Sequence, residues 1–103
     1  MSDVPAGPLP REQRVGAIRD AIEVALQPQS LDVQDESHLH AGHAGARDGR
    51  GHFRVTGVSG AFEGMSSLAR HRAVYAAVGS LMQTDIHALS IHAHTPEESA
   101  DPG

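Results

Sequence analysis

Ile86-His87-Ala88-Leu89-Ser90-Ile91-His92-Ala93, residues 86–93, is the stretch on which the fold turns. Leu89, Ile91 and Ala93 alternate with Ala88, Ser90 and His92, the period of two that a strand with one buried face requires. Upstream, Val74, Ala77 with Val78, and Leu81 with Met82 recur at helical spacing behind Ser66 and Ser67, whose hydroxyls suit an N-cap. Before that helix, His52-Phe53-Arg54-Val55-Thr56-Gly57-Val58 is strand-like again and ends at Ser59-Gly60. A strand–helix–strand crossover normally leaves its two strands parallel. The start of segment 86–93, with His87, therefore lies at the same end of the sheet as the start of segment 52–58.

Working toward the N-terminus, Leu31 and Val33 alternate with Asp32 and Gln34 in a short strand that ends near Asp35-Glu36-Ser37. The connection that follows carries Gly42, Gly45, Gly49 and Gly51 among His, Ala, Asp and Arg, a composition for a flexible link. Strands joined this way usually pair antiparallel. Val15, Ile18, Ala21 with Ile22, and Ala25 with Leu26 form the stripe of a first helix, preceded by Pro10 and stopped by Pro28. The order helix, strand, strand, helix, strand predicts an α+β fold, with helices on one face of a three-stranded mixed sheet. Residues 1–10 read as a flexible leader, 11–96 as the folded domain and 97–103 as a flexible tail.

Composition narrows the function. The 103 residues include no cysteine, which excludes a disulfide framework, a thiol nucleophile and a self-sufficient thiolate cluster site. A formal charge of −5 disfavours nonspecific attraction to polyanions. No run is apolar enough to cross a bilayer, and the opening MSDVPAGPLP has neither the basic start nor the apolar stretch of a secretory signal. A cytoplasmic location is expected, with no membrane partner. A domain of this size has little room for an enclosed substrate cavity beside its core. No Gly-x-Ser-x-Gly elbow, Walker motif or dinucleotide fingerprint is present. The chain is expected not to be an enzyme, with no catalytic residue and no small-molecule substrate.

Eight histidines are the compositional oddity. The connection holding His38, His40 and His43 arrives at the end of the sheet where His87 stands, so His87 and a loop histidine can meet. Imidazole suits zinc, copper, iron and nickel. Against this, His in a mobile loop is ordinarily a solvated polar group. His71 reads as a helix-surface residue, His52 as a strand-entry residue, and His92 and His94 as outward positions.

Asp35-Glu36-Ser37-His38-Leu39-His40, His52-Phe53-Arg54-Val55, Val58-Ser59, Phe62-Glu63-Gly64, Arg70-His71-Arg72-Ala73-Val74-Tyr75 and Ile86-His87-Ala88-Leu89, taken in order, resemble the BolA family. The resemblance spans roughly Arg11 to Pro96. It implies a class II KH-like α-β-β-α-α-β fold in which Phe62 to Leu68 form a short extra helix before the long one. It also implies partnership with a monothiol glutaredoxin, in which a [2Fe–2S] cluster is shared by glutaredoxin cysteine, glutathione thiolate and histidines of this chain. No cluster is expected on the isolated protein. The family's ligand histidine falls on His87. The second, in the loop, falls on His40 when counted from Asp35-Glu36-Ser37 and on His43 when counted back from Phe53, and both are carried.

The chain departs from the family where Ser99-Ala100-Asp101-Pro102-Gly103 follows Thr95-Pro96-Glu97, which leaves a final helix open. Gly64-Met65-Ser66-Ser67 lacks the second glycine of the phosphate-clamping Gly-x-x-Gly loop, against RNA binding by that route. The alternative reading is a DNA-binding transcriptional regulator of stress response and morphology, a role credited to some BolA relatives. Arg54, Arg70 and Arg72 would supply its basic patch. A third reading is an adaptor that binds glutaredoxin without supplying a ligand.

Overall fold

A computed structural model describes residues 9–37 and 50–100. The elements are α1 (Arg11–Leu26), β1 (Ser30–Asp35), β2 (Gly51–Val58), a 3-10 turn (Gly60–Phe62), α2 (Ser67–Val78), α3 (Leu81–Thr84), β3 (Ile86–His94) and α4 (Pro96–Ala100). The sheet order is β1-β2-β3, with β1 antiparallel and β2 parallel to β3, as the crossover argument requires. His40 and His43, the candidate loop ligands, lie outside the described residues, as does His38.

Register explains which side chains are buried. Val33, Val55 and Ile91 lie side by side across the three strands, as do Phe53 and Leu89 across β2 and β3, with the exposed Asp35 beside Phe53 at the edge. Against this face pack Ile18 and Ile22 of α1 and Val74 and Val78 of α2, all buried. The opposite face carries Asp32, Thr56 and His92, then Gln34, Arg54 and Ser90. It is the polar face.

Two local expectations are corrected and one left open is resolved. The apolar stripe through Met82 does not belong to one helix: α2 ends at Gly79, whose φ of 55° favours glycine, and Leu81–Thr84 forms a separate turn of helix. The short helix expected over residues 62–68 is instead a 3-10 turn at Gly60–Phe62. Ser59 accepts the Ala61 amide at 3.0 Å there, and Ser66 spends its hydroxyl capping α2 by accepting from the Ala69 amide at 3.1 Å. The final helix, left open by the sequence, forms at Pro96–Ala100.

The start of β3 is tied down by a buried ion pair. Asp85, 2% exposed, accepts from Arg14 Nε at 3.0 Å, from the Leu9 amide at 2.7 Å and from the Thr84 hydroxyl at 2.6 Å. Its backbone carbonyl accepts from the Gly51 amide at 2.9 Å, which aligns β2 with β3. Gly51 has no room for a side chain, because a Cβ would lie 2.6 Å from Ser37 Oγ and 2.9 Å from the Phe53 ring. Burial by itself would raise the Asp85 pKa; the hydrogen bonds from Thr84, Leu9 and Arg14, with the Arg14 charge, outweigh it and hold the carboxyl below its ordinary 3.8.

A carboxyl whose folded pKa is depressed stabilises the fold fully above its unfolded value and loses that contribution as pH falls toward the folded one. Chemical unfolding should therefore show stability declining below about pH 3.8, with a smaller decline when Arg14→Met and Asp85→Leu are combined. Asp85→Ala alone removes the buried carboxylate that faces Arg14 and should cost about 3–5 kcal/mol at neutral pH, most of it recovered in the double variant.

Candidate functional site

His87 reaches the surface because the strand pairing slips. Gly51 of β2 pairs with Ile86, but the next residue, His52, pairs with Ala88, so β3 advances two residues while β2 advances one. The extra residue is His87. Strict alternation from Leu89 and Ile91 would point His87 to the helix-covered face; the bulge reverses the phase, burying Ile86 completely and turning His87 out. His52 and His87 thus become neighbours, their ring centroids 5.2 Å apart and their planes tilted by 47°.

The backbone around the pair is fixed from both sides. The Ser37 hydroxyl accepts the His52 amide at 3.1 Å, and the Glu36 amide donates to the His52 carbonyl at 2.8 Å. Arg50, just before β2, places Nη2 3.3 Å from His87 Nδ1 and donates from Nη1 to the Met82 carbonyl at 3.3 Å. The neighbours that the residue pattern missed are Arg50 and His52. The strand position of His52 was legible, but its approach to His87 depends on a bulge that no spacing rule announces.

Among the described residues no group of three or more His, Asp or Glu side chains is close enough to hold a metal ion. With cysteine absent, His87 is suited to be one ligand in a site completed by other donors.

The arginines of the alternative reading are largely engaged. Arg54 lies 3.2 Å from Glu36. Arg70 grips both oxygens of Glu98, at 2.7 and 3.0 Å, and donates to the carbonyls of Met65 and Ala93, both at 3.1 Å. Their acidic partners are Glu36 and Glu98. Arg72 is exposed on α2.

The Arg70–Glu98 contact also explains α4. The Glu98 amide donates to Thr95 Oγ1 at 3.2 Å, and Glu98 Oε1 accepts the Thr95 amide at 3.0 Å, a reciprocal capping box. Arg70, followed by the Thr95 amide, pulls the Glu98 carboxyl down to about 2.

The sequence profile of the BolA-like protein family matches residues 22–98. Protein BOLA1, chloroplastic, from Arabidopsis thaliana is 43% identical over 91 residues, covering 85% of this chain and 57% of the relative. The chain thus spans little more than half that relative's length. The DNA-binding transcriptional regulator BolA of Escherichia coli strain K12 is 38% identical over 81 residues, covering 79% and 74%. The solved BolA domain of SufE1 from Arabidopsis thaliana superposes with a TM-score of 0.74 at 40% identity, covering 87% and 98%.

Because the folded pKa of Glu98 is depressed, its contribution to holding α4 is complete above about 4.5 and fades as pH falls toward about 2. The protection of the Glu98 and Ser99 amides, taken relative to intrinsic exchange at each pH, should fall over that window while the sheet amides keep theirs. Glu98→Gln should show the lower protection already at neutral pH.

Proposed function

The chain belongs to the BolA-like protein family, and we propose from this premise that it binds a monothiol glutaredoxin and co-ligates a [2Fe–2S] cluster for iron–sulfur trafficking or iron and redox regulation. It is not an enzyme in this reading, and it works in the cytoplasm, although the plant relative carries a chloroplast designation in its name.

One observation carries the proposal: a bulge spends strand regularity to turn a single histidine, His87, out of the sheet in a chain without cysteine. The donor set fits a shared cluster. His87 and a loop histidine, His40 or His43, would be this chain's ligands, and the thiolates would come from glutaredoxin and glutathione. Imidazole in place of thiolate changes the cluster's charge and raises its reduction potential. What the chain itself supplies is a rigid base. The backbone of His87 follows Asp85, which is locked to α1 and to the start of β2, so little freedom is lost when the side chain becomes a ligand.

A DNA-binding regulator is the second reading, supported by the name of the Escherichia coli relative and by exposed Arg72. The ion pairs at Arg54 and Arg70 weigh against it. Salt-sensitive binding of a duplex by the isolated chain would favour it.

Mixing the protein with a monothiol glutaredoxin, glutathione, iron and sulfide should give a stable coloured heterocomplex, whereas the isolated chain should lose any cluster on desalting. His87→Ala should change the visible spectrum and shorten cluster lifetime more than His40→Ala or His43→Ala alone. A His87→Ala complex with the wild-type spectrum and lifetime would leave only the adaptor reading, in which no histidine is a ligand.

A further inference from the structure

We propose that Arg50 is a latch on His87, occupying the imidazole until an anionic set of donors draws the guanidinium away. This rests on the reading of His87 as a ligand and adds a control element to it.

The argument is one of donors and acceptors. A guanidinium stays protonated and has no lone pair to offer, so in the Arg50 Nη2 to His87 Nδ1 contact of 3.3 Å the imidazole must accept. Its neutral ring then carries the proton on Nε2. A metal ion needs a lone pair. If it approaches Nδ1, Arg50 stands in the way. If it approaches Nε2, the ring proton must move to Nδ1, where it faces a donor that cannot accept it. Both routes require Arg50 to release His87.

Arg50 is also held from behind. Its Nη1 donates to the carbonyl of Met82 in α3, and α3 leads directly into β3 through the Asp85 amide bonded to the Leu81 carbonyl at 2.9 Å. The guanidinium therefore bridges α3 to the imidazole. Its charge repels an approaching bare cation, while a thiolate-bearing partner offers it an anion to move toward. The latch thus discriminates: it disfavours adventitious divalent ions at His87 and yields to thiolate-rich surroundings.

The test uses the isolated chain and zinc alone, read on the His87 imidazole resonances by NMR, with His87→Ala identifying those signals. Arg50→Ala should bring the His87 response to zinc concentrations roughly threefold to tenfold lower, as expected for removing one hydrogen bond of ordinary net strength at an exposed site. Arg50→Gln, which keeps a side-chain stem without the charge, should shift it in the same direction and serves as the measurement if Arg50→Ala fails to fold. A His87 response at the wild-type zinc concentration in a folded Arg50 variant would overturn the latch, whatever happens with glutaredoxin. Conversely, a zinc shift as expected, with no coloured wild-type heterocomplex, would keep the latch and remove the proposed function.

Discussion

The Arg14–Asp85 pair is the constraint on which the rest of the molecule depends. It joins the first turn of α1 to the residue before β3, two points 71 residues apart in the chain. The same residue orders β2 through its carbonyl and Leu9 through its carboxylate. A buried ion pair is a poor source of net stability, because desolvating both charges offsets most of their attraction. Its value is specificity. With both partners nearly excluded from solvent, an arrangement that separates them loses their attraction without regaining hydration, so the pair favours the docking of α1 that keeps them together.

That rigidity has a local consequence at β3. A parallel pair that slips by one residue must find room for the extra one. It does so at His87, between the anchored Asp85 and the resumed alternation from Ala88 onward. Ile86 fills the core that His87 would otherwise have faced. Had the register run without interruption, an imidazole would have faced the core and an isoleucine would have been exposed. The irregularity serves packing and surface chemistry together.

How far the sequence could be read follows from the same physics. Period-two and period-3.6 patterns reported α1, the three strands and the core positions Phe53, Val55, Val74, Val78, Leu89 and Ile91, because burial itself generates those periods. They carried a single helix past Gly79, since Leu81 and Met82 still pack against the core although the backbone between has turned. They were blind to the Arg14–Asp85 pair, because a charged residue at a helix position next to Val15 looks like a solvated one until its distant partner is known. The site was legible only in part. The crossover rule put His87 at the right end of the sheet, while its neighbours His52 and Arg50 depend on the bulge and on a long-range contact. His40 and His43 fall outside the described residues.

The two ends of β3 are held by ion pairs of different character, and the difference matters for what each end can do. At the start, Asp85 and Arg14 are 2% and 6% exposed, so added salt barely weakens them. At the far end, Glu98 is 47% exposed and its tie to Arg70 is open to screening. High salt should therefore loosen α4 first and leave the His87 end intact. Heat should do likewise, since α4 has a five-residue length and one capping box to hold it, whereas the start of β3 is woven into α1, α3 and β2. The firm end is the one that carries the exposed imidazole, which is where a ligand must be presented in a fixed direction, and the yielding end is the one that Arg70 of α2 holds through Glu98.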